Sequence, residues 1–217
     1  MKAALFDLDG VVFDTEPQYS VFWGSQCRLY HPEIEGLEHI IKGSTLTQIY
    51  DRWFSGELAK ERDIVTERLN AFEQQMTFEY VPGFEAFVND LRSHGVKTAV
   101  VTSSNRDKME SVYRQRPELL GMMDAILTSE DFAFSKPHPD CYLRGAERFG
   151  VQPQECVVFE DSKNGLRSGR DAGCLVVGLA TTLPVAEIEQ LSDVQWNDYC
   201  GADYEKLSEI FARFTEK

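Results

Sequence analysis

The chain has 217 residues, enough for one or two domains with a proper buried core. Its composition, 42% hydrophobic and 27% charged, is that of a globular protein in water, and no run reaches the ~18 apolar residues of a membrane helix. With 36 acidic against 22 basic residues the formal net charge is −14, which argues against nucleic-acid and anionic-membrane partners but not against a small anionic ligand met by a bound metal and a few basic groups.

The first element is a strand, Ala3-Ala4-Leu5-Phe6, that runs into Asp7-Leu8-Asp9-Gly10. Aspartate is disfavoured at a strand end, and two carboxylates facing the same way repel, so a group of opposite charge is expected against them. The same charges interrupt any apolar core of a signal peptide. From Thr15 to Val81 there is no clear strand, while Ile34 to Ile41, Leu46 to Phe54 and Ile64 to Phe78 carry helical apolar spacing. A helical insert directly after the first strand would stand over the carboxyl edge of a sheet. Residues 15–81 are therefore expected to form a cap domain over a core made of residues 1–14 and 82–217. The alternative is that these helices pack on the sheet's flanks. Pro82-Gly83 marks the boundary, and a helix is expected from Phe84 to His94.

Beyond it the apolar runs recur: Val96 to Thr102, the shorter Asp124 to Thr128, Cys156 to Asp161 and Cys174 to Leu179. Three of them follow helix-like segments that end in Gly95, Gly150 and Gly173, where a left-handed cap would sit. Unalternated apolar strands separated by helices indicate a parallel sheet covered on both faces, a doubly wound, Rossmann-like α/β core. Tyr204 to Phe214 reads as an amphipathic helix packed on it. The five cysteines, odd in number and without CxxC spacing, fit a reducing, cytoplasmic setting.

In an open parallel sheet, ligands bind beyond the carboxyl ends of the strands. Four loops meet there: Asp7-Leu8-Asp9-Gly10, Thr102-Ser103-Ser104-Asn105, Ser135-Lys136-Pro137-His138-Pro139-Asp140 and Glu160-Asp161-Ser162-Lys163-Asn164-Gly165. Asp7 and Asp161 end central strands, and two close carboxylates need a cation or a proton. Hard oxygen ligands suit Mg²⁺, with Glu160 as a further ligand, direct or through water. Asp7 is the candidate nucleophile and Asp9 the candidate proton carrier. Thr102 offers a hydroxyl, its neighbours Gly10, Ser103, Ser104 and Asn105 are candidate substrate contacts, and Lys136 supplies positive charge. Together these are the parts of phosphoryl transfer. Taken singly, each has a plainer explanation: a surface turn for Asp-x-Asp and Glu-Asp, a helix N-cap for the Thr102 loop, a solvated lysine for Lys136.

The stretches FDLDGVVFDTEP, VVTSSN, SKPHPD and VVFEDSKNGLRSGRDAG resemble the four motifs of the haloacid dehalogenase-like superfamily, and most closely its β-phosphoglucomutase-like phosphatases with a helical cap. The resemblance implies that Asp7 becomes a phosphoaspartate and that Asp9 is the general acid and base, with its backbone carbonyl on the metal. Thr102 would bind the phosphoryl group, Lys136 would stabilise it, and Glu160 and Asp161 would complete the Mg²⁺ site. Val11 to Thr15 would be the flexible segment that lets the cap open and close. Asp9 disfavours a dehalogenase, because a halide needs no proton. Sugar phosphomutases of this group carry a cap histidine where this chain has Tyr19, and an arginine that Gly43-Ser44-Thr45-Leu46 does not offer. A pyrophosphatase branch has a glutamate where Lys42 stands. Lys42, Gly43, Ser44 and Thr45 are candidate contacts to a leaving group, or simply a helix start. The expected activity is a Mg²⁺-dependent phosphatase for a small phosphorylated metabolite, possibly a sugar phosphate, in a monomer or weak homo-oligomer. A mutase, a pyrophosphatase and a non-catalytic phospholigand sensor remain the alternatives.

Overall fold

The computed structural model describes residues 1–216. Six strands form one sheet: β1 (Ala3–Phe6), β2 (Lys97–Val101), β3 (Ala125–Leu127), β4 (Cys156–Glu160), β5 (Leu175–Leu179) and β6 (Val194–Trp196). All pair in parallel, in the order β3-β2-β1-β4-β5-β6. The eleven α-helices are, in chain order, α1 (Glu16–Tyr30), α2 (Leu37–Ile40), α3 (Leu46–Trp53), α4 (Arg62–Glu73), α5 (Phe84–Ser93), α6 (Arg106–Gln115), α7 (Leu119–Met122), α8 (Asp140–Arg148), α9 (Lys163–Asp171), α10 (Val185–Ile188) and α11 (Tyr204–Thr215).

The fold follows from strands that are apolar on both sides. Ala4, Phe6, Val100, Val157, Phe159 and Val177 point to one face and pack with Phe84, Phe87, Val88 and Leu91 of α5 and with Leu207 and Phe211 of α11. Their neighbours Ala3, Leu5, Ala99, Val101, Val158 and Val176 point to the other face, against Cys141, Tyr142 and Ala146 of α8 and Leu166 of α9. Side chains alternate across a strand, so only a sheet covered on both sides can bury such runs. Phe6 and Phe159 stack at 4.6 Å between centroids, locking the two central strands together.

Helices α1 to α4 have a separate apolar cluster, which includes Phe22, Trp23, Leu37, Ile49, Tyr50 and Phe54. The two chain segments that join them to the sheet run side by side: Asp14 N donates to Glu79 O at 2.8 Å, and Val81 N to Val12 O at 3.0 Å. Val11, Val12 and Phe13, expected as flexible, are fully buried here and belong to the core of the sheet.

Four details differ from the sequence expectation. Helix α1 was not anticipated, because its buried residues include Gly24 and Gln26 and leave no clean apolar stripe. The helix expected over residues 64–78 stops at Glu73. Met76 and Phe78 are apolar for another reason: they pack into the sheet's core, where Phe78 meets Phe13 at 5.5 Å. Strand β6 is a three-residue, half-buried edge and carries no long apolar run. The helix expected over residues 34–41 is reduced to Leu37–Ile40, α11 runs one residue past Phe214, β1 has its expected bounds, and the other expected strands and helices end within a residue of expectation. Among the described residues, no helix is long and apolar enough to cross a membrane.

Candidate active site

The sheet order reverses direction between β1 and β4, the neighbours at its centre, and a crevice opens beyond their carboxyl ends. Phe6 is level with Phe159, and Asp7 N continues the ladder by donating to Phe159 O at 3.0 Å. This register sets Asp7 beside Glu160 and Asp161. One oxygen from each of the three carboxylates lies within 4.8 Å of the others.

Lys136 ties the group together from the loop before α8. Its side chain is 5% exposed, and its ammonium donates to Asp7 Oδ1 and Glu160 Oε1, both at 2.6 Å, and to Val101 O at 3.1 Å. Burial works against that charge, but Asp7 and Glu160 outweigh it and hold the lysine above its ordinary pKa. The reverse balance holds for the aspartates. Burial pushes Asp7 up to about 7 against the pull of Lys136, and Glu160 and Asp9 push it further. Asp161 is raised as well, by burial first and then by Glu160 and Asp7. Among the described residues, four carboxylates, Asp7, Asp9, Glu160 and Asp161, face only Lys136 and Lys108. A divalent cation would relieve this surplus of negative charge.

The donor set fits a hard cation. Among the described residues, Asp7 Oδ2 and Asp161 Oδ1 accept no hydrogen bond, so both are free to coordinate. Thr182 Oγ1 donates to the other Asp161 oxygen and orients the carboxylate. Glu160 is different. It is fully buried, and its oxygens already accept from Lys136, from Tyr142 OH at 2.8 Å and from the Ser162 hydroxyl at 3.2 Å. Its geometry is that of a strut behind the site, with any metal contact left to its neighbours or to water.

Two glycines make the close approach feasible. Gly10 has φ +72°, and a Cβ there would collide with the Asp161 carboxylate. Gly165, in the first turn of α9, leaves the space that the Glu160 carboxylate occupies.

The Thr102 loop lies across the crevice. Thr102 is buried, and its hydroxyl accepts from Ser104 N at 3.0 Å. Asn105 caps α6 by accepting from Lys108 N at 2.9 Å, while Ser103 and Ser104 line the cavity. Asp9 stands between this loop and the helices above it. Its Oδ1 accepts from Thr15 Oγ1 at 2.8 Å, and its Oδ2 from Ser104 Oγ at 3.3 Å and Lys108 Nζ at 2.5 Å.

The Asp7 and Thr102 loops, Lys108, Lys136, Glu160 and Asp161 open on one cavity of about 430 Å³, roofed by α1, α3, α4 and the turn before α3. Gly43, Ser44 and Thr45 lie on its wall, and Thr45 also caps α3 by accepting from Gln48 N at 3.2 Å. Asn164 Nδ2 reaches up from α9 to Gly43 O at 3.1 Å and Gln48 Oε1 at 2.8 Å, holding the roof to the sheet. Lys42 does not join this wall. It pairs with Glu16 at 3.0 Å and lines an adjoining cavity of about 230 Å³.

Sequence reasoning missed Lys108, Thr182, Tyr142 and Asn164. For Lys108 a signal existed: it lies one helical turn before Val112 and next to Met109, on the buried stripe of α6. A lysine on such a stripe needs a partner. Thr182 had none, because a threonine after a strand is an ordinary turn residue.

Comparison with known proteins agrees with this architecture. The family model for haloacid dehalogenase-like hydrolases matches residues 1–173. Hexitol phosphatase A of Escherichia coli is 34% identical over 184 residues, covering 82% of either chain. Glycerol-1-phosphate phosphohydrolase 2 of Saccharomyces cerevisiae is 31% identical over 202 residues, 84% of this chain and 76% of that one. Among solved structures, a haloacid dehalogenase hydrolase from Entamoeba histolytica superposes with a TM-score of 0.82 at 20% identity, over 98% of this chain and 100% of its own. A β-phosphoglucomutase from Clostridium difficile gives 0.78 at 21% identity over the whole of both chains. The chain belongs to the haloacid dehalogenase-like hydrolases.

Proposed function

We propose that the protein is a Mg²⁺-dependent phosphatase of small phosphorylated polyols or sugars, acting through a phosphoaspartate on Asp7. The observation that carries this reading is the meeting of Asp7, Asp9, Lys136 and Asp161 at one roofed cavity of about 430 Å³. Asp7 and Asp161, with the Asp9 carbonyl, would hold the cation. Mg²⁺ would supply charge neutralisation at the phosphoryl oxygens.

In the first step an Asp7 carboxylate oxygen attacks phosphorus. The bond to the leaving oxygen breaks, its electron pair stays on that oxygen, and Asp9 delivers a proton to it. In the second step water attacks the same phosphorus, Asp9 takes its proton, and Asp7 is released with inorganic phosphate. Lys136 fixes one Asp7 oxygen and balances charge through both steps. Thr102, Ser103 and Ser104 line the cavity on its α6 side and would meet the phosphoryl group there.

Charge on the roof supports this choice of substrate class. Glu16, Glu73, Tyr19, Asn70, Ser44 and Thr45 line it. Among the described residues the roof sets no free cation on the main cavity, since Lys42 is paired with Glu16 to one side. A second phosphate or a carboxylate on the substrate would go unmatched there, whereas hydroxyl groups find partners. This argues against a bisphosphate-handling mutase and matches relatives named for hexitol and glycerol phosphates. The five free thiols, four of them buried, fit a reducing compartment, and we assign the enzyme to the cytoplasm.

The test is phosphate release across neutral polyol and sugar monophosphates, bisphosphates, phosphoglycolate and pyrophosphate, with Mg²⁺ or EDTA. The expected result is Mg²⁺-dependent release, greatest for neutral monophosphates and abolished by Asp7→Asn. A preference for bisphosphates, or release that survives Asp7→Asn, would overturn the reading.

A further inference from the structure

The core cation that touches the proton carrier is Lys108. Its side chain, on α6, is 3% exposed, and its ammonium donates to Asp9 Oδ2 at 2.5 Å and to Tyr19 OH at 2.7 Å. Tyr19, on α1, in turn donates to Glu73 Oε1 on α4 at 2.7 Å. The Lys108 ammonium also lies 5.0 Å from the centre of the Tyr19 ring. A continuous array therefore runs from Asp9 in the core through Lys108 to two roof helices. Lys108 is buried at its centre while Asp9, Tyr19 and Glu73 are half-buried, and an ammonium in such a place is costly unless paired.

Asp9 needs such support. Its carboxylate is 29% exposed and sits on a turn between a strand and the connection to the roof. Thr15 holds one oxygen, and Ser104 holds the other only at 3.3 Å. Without a third donor the carboxylate could turn about its own bonds. A proton is delivered only along a short, aligned path to the leaving oxygen. Lys108 is held from the roof side, so its grip on Asp9 depends on α1 and α4 being in place.

We propose that Lys108 is a positioning residue that fixes the Asp9 carboxylate for proton delivery when Tyr19 and Glu73 bring the roof helices against it. The proposal rests on the phosphatase reading above. It assigns Lys108 no direct contact with the phosphoryl group, which separates its role from that of Lys136.

Leaving-group dependence tests it. The phenolate of p-nitrophenyl phosphate departs without a proton, whereas the alkoxide of an alkyl phosphate must receive one as the P–O bond breaks. The value of kcat/KM covers the chemistry through formation of phosphoaspartate, the step in which that proton moves. It is measured for wild type, Lys108→Met and Tyr19→Phe, with p-nitrophenyl phosphate and with the alkyl phosphate that wild type hydrolyses best among glycerol, hexitol and hexose monophosphates. Met has nearly the length of Lys and no charge, and Asp9 keeps Thr15, Ser104 and solvent as partners. Lys108→Met is expected to lower kcat/KM for the alkyl phosphate at least about 100-fold and for the aryl phosphate less than about tenfold, within the range general acid catalysis supplies. Tyr19→Phe is expected to shift the ratio in the same direction by about fivefold or more. Equal losses on both substrates, or no loss, would overturn the proposal. If Lys108→Met does not fold, the Tyr19→Phe ratio decides alone. Wild type that releases phosphate from neither substrate with Mg²⁺ sinks the phosphatase reading itself, and the proposal with it.

Discussion

The proposed function asks Asp7 to be both a buried carboxylate and a charged one. Burial raises its pKa from an ordinary 3.8 to about 7, so the metal-free folded protein holds this proton more tightly than the unfolded chain does. Asp7 therefore lowers the stability of the metal-free fold progressively as pH rises from about 4 to about 7, because the unfolded chain gives up the proton first. A divalent cation binds only the carboxylate and so competes with that proton. The Mg²⁺-induced rise in Tm should accordingly grow from pH 6 to pH 8, and the Mg²⁺ concentration at half effect should fall. Asp7→Asn should lose most of this dependence. Thermal melts at both pH values over a Mg²⁺ series would check it, and a shift that is the same at pH 6 and pH 8 would contradict it.

Among the elements, α9 does two tasks that its sequence hardly advertises. Gly165 in its first turn gives room to Glu160, and Asn164 beside it binds the turn before α3. Asn164, itself buried, is therefore a latch between sheet and roof, made of two hydrogen bonds. Asn164→Ala should raise KM several-fold for a polyol phosphate with a loss of stability near 1 kcal/mol, since neutral hydrogen bonds of this kind contribute about that much. Steady-state kinetics beside a denaturant melt would check both parts. An unchanged KM with a large drop in Tm would show that the contact only supports the fold. The roof helices themselves were legible in outline. Leu46 to Trp53 carries Thr45 as a cap and an apolar stripe, and it was anticipated within one residue. Helix α1 was not, because Gly24 and Gln26 are buried in it for packing against neighbours that no local pattern reveals.

Over the whole molecule, the legible part of the site is the part attached to strands. Asp7, Thr102 and Asp161 each follow a run of apolar residues, so a strand end fixes their place once the sheet is parallel. The illegible part lies on helices, where Lys108, Tyr142 and Asn164 meet the site only through tertiary packing. Lys42 illustrates the same limit from the other side. Its position beside Gly43 brings it near the roof, yet the Glu16 carboxylate, on a helix the sequence did not reveal, draws it into the adjoining cavity.

The central claim is that Asp7 is the nucleophile. The most direct measurement is a rapid acid quench of wild type turning over its best substrate with Mg²⁺, followed by borohydride reduction and peptide mass analysis. The account predicts that Asp7, and no other residue, is converted to homoserine, in the presence of substrate and Mg²⁺ only. Steady turnover with Asp7 unmodified, and undiminished in Asp7→Asn, would contradict it.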